Sequence, residues 1–237
     1  MPKPLPPPPA NPELSPPVVL PGEQRLTLAG LAGEPHLEAL VRVPRDATRA
    51  IVLCHPHPLY GGTMHSAIVL AIAKMLAAPG AGESQVATLR FNYRGVGASG
   101  GKYGEGPGEV QDARAAIRAL RERAPAARMT VCGYSFGTWV GLRAAVLEGQ
   151  VERVALIAPA VRIFSFVAED GAAFPGRLAI YVGDQDEFCD VGEARTLAAK
   201  LGASLEVFEG SDHFFLRSRR KLALAVLPFV APEAGAA

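Results

Sequence analysis

Met129 to Ala145, M-T-V-C-G-Y-S-F-G-T-W-V-G-L-R-A-A, sets the terms for the rest of the chain. Met129 to Cys132 is a short apolar run of strand type, and a helix is expected to start after Ser135. Between them Gly133-Tyr134-Ser135-Phe136-Gly137 has the pattern G-x-S-x-G. A turn this sharp brings strand and helix backbones together, so the flanking positions must be small. It also lifts the serine hydroxyl above the end of a sheet. The helix start just beyond offers N–H groups and the positive end of a dipole to a developing oxyanion. The competing reading is a glycine turn that happens to contain serine, so the flanking chain has to decide.

The chain has 237 residues and 49% hydrophobic content, enough for one large α/β domain. A formal net charge of +1 points to neither nucleic acid nor an anionic membrane surface as a partner. No apolar run reaches membrane-spanning length, and the N-terminus shows no apolar signal core. Cys54, Cys132 and Cys189 are far apart and odd in number, which fits buried free thiols in a reducing, cytoplasmic setting. Residues 1–21 hold ten of the 21 prolines and are expected to form an extended or disordered tail outside the core. Residues 22–237 are expected to form the domain.

Within that domain, apolar runs alternate with amphipathic segments. Arg25–Leu28 and Leu37–Val43, around the turn-like Gly30–Pro35, form an expected opening hairpin. Strands are expected at Ala50–Cys54, Val86–Phe91, Met129–Cys132, Val151–Ala158, Leu178–Val182 and Ser204–Phe208. Helices are expected at Ser66–Ala78, Glu109–Arg123, Glu193–Lys200 and Phe214–Val230. This alternation implies parallel βαβ units. Gly95, Gly97 and Gly100 match G-x-G-x-x-G, but no helix opens there and position 120 is leucine, so a dinucleotide site is rejected. His55 and His57 lack the further ligands that a metal site needs. Arg217, Arg219, Arg220 and Lys221 form one basic run. A solvated helix face accounts for it, with an anion site as the alternative.

Several stretches together resemble the α/β-hydrolase superfamily, in particular its small members without a cap domain. They are His55 to Gly62 (H-P-H-P-x-x-G-G), Asn92 to Gly100 (N-x-R-G-x-G-x-S-x), Gly133 to Gly137, the acidic loop Gly183 to Asp186, and Ser211 to Phe214. The resemblance covers roughly residues 23–230. It implies an eight-stranded, mostly parallel sheet with the second strand antiparallel, helices on both faces, and a nucleophile–acid–histidine order along the chain. Of the five histidines, at 36, 55, 57, 65 and 213, only His213 follows Ser135. The acid is expected at Asp186, with Asp184 and Asp190 as alternatives. A second oxyanion donor is implied in the loop after the third strand. Pro56 and Pro58 have no N–H, so the donors expected are the amides of His57 and Phe136. His55 is expected to brace that loop with its side chain.

On this reading the chain is a serine hydrolase of carboxylic esters that needs neither metal nor organic cofactor. Its partner is a small acyl ester. Pro159 to Pro175 is too short for a cap, so an open cleft for short acyl chains is expected, lined by Tyr60 and by Phe164, Phe166 or Phe174, for which core packing is the alternative. A thioesterase or peptidase of the same fold and a non-catalytic binding protein are the rival readings.

Overall fold

The structure, a computed structural model, describes residues 17–78, 86–167 and 173–232. Its centre is an eight-stranded sheet in the order β1-β2-β4-β3-β5-β6-β7-β8. The strands are β1 Gln24–Leu28, β2 Leu37–Arg42, β3 Arg49–Cys54, β4 Val86–Phe91, β5 Arg128–Tyr134, β6 Val151–Ile157, β7 Arg177–Gly183 and β8 Ser204–Phe208. β2 runs antiparallel to both β1 and β4, and all other neighbours are parallel. The helices are α1 Ala67–Ala77, α2 Pro107–Arg123, α3 Phe136–Glu148, α4 Val191–Leu201 and α5 Arg219–Val230.

The central strands are largely apolar because both faces are covered. In β3, Ala50, Val52 and Cys54 face the cluster built with α2, α3 and α4, while Ile51 and Leu53 face the one built with α1 and α5. β6 divides its residues the same way, with Val154 and Leu156 on one side and Ala155 and Ile157 on the other. Chain order reverses across β3: α1 leads to β4 on one side and α2 returns to β5 on the other. Such a reversal opens a crevice at the carboxyl ends of the strands, where open α/β sheets bind ligands.

Two expectations need correction. The closing helix begins at Arg219, not Phe214. Phe215 takes φ +47°, and a chain of turns, Phe215 N–H to the Asp212 carbonyl and Ser218 N–H to the Phe215 carbonyl, replaces the first helical turns. The apolar periodicity runs through this segment, but a left-handed residue cannot propagate a helix. The proline-rich segment lies mostly outside the described residues, yet its end packs on the body. Leu20 is buried, and the Val18 carbonyl accepts from Arg90 at 2.6 Å. Arg90 is itself buried and ion-paired with Glu23 at 2.6 Å, which ties this segment to β4.

Candidate active site

The turn between β5 and α3 is as tight as its glycines require. A Cβ on Gly133 would lie 2.2 Å from the Gly137 carbonyl oxygen, and one on Gly137 would lie 2.4 Å from that of Cys54. Neither position can carry a side chain. The second contact also places the start of α3 against the end of β3. Ser135 sits at φ +54°, ψ −117°, a conformation that costs a non-glycine residue on the order of 1–3 kcal/mol. It is held there by its own N–H on the Ile157 carbonyl at 2.9 Å. Its carbonyl in turn accepts from the Thr138 N–H at 3.0 Å and the Thr138 hydroxyl at 2.5 Å.

The loops after β7 and β8 bring the other side chains to this turn. His213 Nε2 lies 3.0 Å from Ser135 Oγ, and His213 Nδ1 lies 2.8 Å from Asp186 Oδ2. The second carboxylate oxygen of Asp186 accepts from the N–H groups of Phe188, at 2.8 Å, and Cys189, at 3.2 Å. With both oxygens occupied and the side chain out of contact with solvent, the carboxylate is fixed in place. A carboxylate at Nδ1 puts the proton on that nitrogen and leaves the Nε2 lone pair facing the hydroxyl. The imidazole is further confined by the Phe188 ring at 4.6 Å and by the Tyr134 hydroxyl, which donates to the His213 carbonyl at 3.2 Å. The other acids in the β7 loop are used elsewhere. Asp190 caps α4 by accepting from the Glu193 N–H at 2.9 Å and pairs with Arg162 at 2.7 Å, while Asp184 is exposed. Asp212 accepts from the Leu216 N–H at 3.1 Å.

The loop after β3 holds two more imidazoles, both tied to protein groups. His55 Nδ1–H donates to the Pro56 carbonyl at 2.6 Å, and its Nε2 accepts from the Tyr93 N–H at 3.1 Å. This is the bracing role expected of it. His57 Nδ1 accepts from the Leu59 N–H at 3.2 Å, which leaves its Nε2–H to donate to the Tyr103 hydroxyl at 3.1 Å. Burial drives both pKa values down, to about 3 for His55 and about 4 for His57, so both rings are neutral near pH 7. The His57 backbone N–H has no acceptor among the described residues. Phe136, as the first residue of α3, has an N–H without an intrahelical acceptor. The two residues are adjacent, with ring centroids 4.8 Å apart.

Ser135 and His213 open onto a cavity of about 450 Å³. Tyr60 and Phe164 line it. Neither Phe174, 5% exposed, nor Phe166, two residues after Phe164 and 6% exposed, does; both pack in the core cluster with Leu197. The chain turns away between Phe164 and Phe166 because Trp139 Nε1–H, at 3.0 Å, and Arg143, at 3.2 Å, hold the Ser165 carbonyl over α3. Ile163, Phe188, Phe214 and Arg219 also line the cavity and were not singled out from the sequence as pocket residues. For the aromatics the usable signal was a ring in a loop next to an expected catalytic residue; for Arg219 it was the basic run. The Asn92 to Gly100 loop is structural. Asn92 bridges the Met64 N–H, at 2.9 Å, and Glu38, at 2.8 Å, and Arg94 makes a forked pair with Asp112 at 2.7–3.1 Å.

Residues 45–169 match the family model described as serine aminopeptidase, S33. An uncharacterised protein of Rickettsia prowazekii is 32% identical in an alignment 194 residues long, which covers 76% of this chain and 77% of that one. The crystal structure of an α/β serine hydrolase without lid from Xanthomonas campestris superposes with a TM-score of 0.77 at 28% identity, covering 93% of this chain and 99% of that one. An α/β serine hydrolase homologue from Coxiella burnetii gives 0.75 at 28% identity, covering 88% and 97%. The sheet order, the turn after β5 and these matches agree: the chain belongs to the α/β-hydrolase superfamily, in the family of the serine aminopeptidase S33 model and among serine hydrolases without a lid.

Proposed function

We propose that this serine hydrolase cleaves carboxylic esters through an acyl-enzyme. Ser135 Oγ attacks the acyl carbonyl while His213 Nε2 takes its proton. Asp186 holds the imidazole and stabilises the imidazolium. The tetrahedral oxyanion sits between the N–H groups of His57 and Phe136. As the intermediate collapses, the C–O bond breaks and His213 returns the proton to the departing alcohol. Water, activated by the same imidazole, then attacks the acyl-serine and releases the acid. The observation that supports this reading most is the aligned chain Asp186–His213–Ser135, at 2.8 Å and 3.0 Å, opening onto a cavity. Among the described residues that cavity is bounded by loops and the starts of α1 and α5, with no cap over it, which favours short acyl chains.

A fluorophosphonate probe should label the wild type and fail on Ser135→Ala. Labelling that survives the substitution would remove the mechanism. The family's description as serine aminopeptidase makes aminoacyl amides the natural rival substrates. Butyryl ester, butyryl thioester and an aminoacyl 4-nitroanilide should be assayed side by side, with the ester expected to turn over fastest. Faster cleavage of a palmitoyl than of a butyryl ester would contradict the open cleft.

A further inference from the structure

Of the lysines and arginines among the described residues, Arg219 alone lines the cavity. Three other sheltered guanidinium groups are paired with carboxylates: Arg90 with Glu23 at 2.6 Å, Arg94 with Asp112 at 2.7 Å, and Arg49 with Glu152 at 3.2 Å. Arg219 has none within ion-pair distance among the described residues, and its Nε is buried without a hydrogen-bond partner. The cavity-facing part of its guanidinium is therefore free to pair with a group that enters from solvent. The two nearby carboxylates serve other groups: Asp186 holds His213, and Asp212 accepts from the Leu216 N–H. The placement of this cation also runs against helix electrostatics. Arg219, Arg220 and Lys221 fill the first turn of α5, Arg217 precedes it, and no acid stands there, although the N-terminal end of a helix favours negative charge. Of these four cations only Arg219 reaches the cavity.

We propose that Arg219 is a specificity residue that binds an anionic group, a carboxylate or phosphate, on the leaving-alcohol half of the substrate. This rests on the ester-hydrolase reading above. The side of the substrate follows from the proton path. The leaving oxygen must come within hydrogen-bond reach of His213 Nε2, and Arg219 lies on the same short segment as His213, with Phe214 of that segment also in the wall. Tyr134 links them: its hydroxyl bonds the His213 carbonyl, and its phenol, raised chiefly by burial, is close enough to Arg219 to be partly offset by its charge. Ile163 and Phe164, from the loop after β6, supply an apolar wall suited to the acyl chain. A planar guanidinium matches a carboxylate or phosphate through two parallel hydrogen bonds.

The test compares the acetate ester of 4-hydroxybenzoate, which has a carboxylate on the leaving phenol, with that of methyl 4-hydroxybenzoate. The readout is the ratio of their kcat/KM values, in which intrinsic reactivity cancels between variants. Arg219→Gln is expected to lower the anionic-to-neutral ratio by about tenfold or more, mainly through KM, with Arg219→Lys intermediate. Arg217→Gln, exposed and outside the cavity, should move the ratio less than about twofold, as a screened surface charge does. A second arm places the carboxylate on the acyl half, as 4-nitrophenyl hydrogen glutarate against 4-nitrophenyl butyrate. There the ratio should not shift. An unchanged ratio in Arg219→Gln, an equal fall in Arg217→Gln, or a fall confined to the acyl arm would overturn the assignment. Circular dichroism and fluorophosphonate labelling of each variant separate the causes. A folded, labelled Arg219→Gln with an unshifted ratio defeats the anion site alone, whereas a wild type that neither labels nor turns over ester defeats the hydrolase reading and the anion site with it.

Discussion

Two loops at the same edge of the sheet carry buried imidazoles, and they use them in opposite ways. After β8, His213 has a carboxylate behind one nitrogen and a serine hydroxyl before the other. After β3, His57 has a backbone N–H on one nitrogen and a tyrosine hydroxyl on the other. Both residues are at least nine-tenths buried, so burial does not tell them apart. The partner does. A carboxylate can stabilise an imidazolium formed during reaction, so His213 can accept a proton. A peptide N–H and a phenol cannot, so His57 stays neutral and its ring serves to shape the loop. On the mechanism proposed above, the same residue type would be a base in one loop and a brace in the other, and in the second the chemistry would fall to the backbone N–H.

The sharpest way to break this contrast is to change the partner on one side and the ring on the other. Asp186→Asn keeps the size of the side chain but presents an amide to Nδ1, which favours the wrong tautomer. It should reduce kcat/KM by about 10⁴, as loss of the orienting carboxylate does in serine proteases. His57→Gln removes an imidazole from the same site but keeps the backbone donor, and should cost less than about tenfold, well short of what losing an oxyanion donor costs. Steady-state kinetics on one butyryl ester decides it. Comparable losses from the two substitutions would make the ring of His57 a participant and end the distinction.

The contrast also predicts a pH effect on stability. The folded pKa of His57 is depressed to about 4, below the ordinary value of 6.5. The unfolded chain therefore takes up this proton first as pH falls, and the folded state loses stability from about pH 6.5 down to about pH 4, with no further loss from this group below that. The slope attributable to one such histidine approaches about 1.4 kcal/mol per pH unit within the window. Urea unfolding at several pH values should give a shallower dependence in His57→Gln than in the wild type by about that amount. Equal slopes would mean that His57 is protonated in the fold, and the brace reading would fail.

How far the sequence carried this arrangement varied with the kind of information needed. Continuous apolar runs identified the central strands because burial on both faces leaves no other composition. Ser135 was visible because its turn tolerates only small neighbours, and His213 because the resemblance fixes the chain order and leaves no competitor after residue 135. Asp186 stood among four acids. What separates it from Asp184 and Asp190 is the direction in which the loop turns, which periodicity does not encode. The same limit misled the assignment of Phe166, since rings two residues apart in an irregular stretch carry no pattern that says which one meets solvent. The start of α5 was missed because Phe215 adopts a left-handed conformation that nothing in an apolar, helix-compatible run announces. Tyr103 went unnoticed because its partner, His57, is 46 residues away on a different loop.

That long-range contact offers the smallest and most selective test of the comparison. Tyr103→Phe deletes the acceptor for the His57 Nε2–H and leaves a buried donor unsatisfied, which should cost about 1–2 kcal/mol in stability. Burial raises the Tyr103 phenol to about 12, with Glu109 and Glu105 adding to the shift, so it is neutral throughout the assay range and its loss should remove no pH-dependent limb from the rate. The backbone around His57 is still held without Tyr103: the Tyr60 and Gly62 N–H groups donate to the His57 carbonyl, both at 3.1 Å, and the Pro56 carbonyl accepts from His55 Nδ1–H at 2.6 Å. The expected outcome is a lower denaturant midpoint with kcat/KM within about threefold of the wild type, since no donor to the oxyanion is lost. If instead turnover falls a hundredfold while the midpoint stays put, the Tyr103–His57 pair acts on the reaction itself. The two histidine loops would then differ in degree, not in kind.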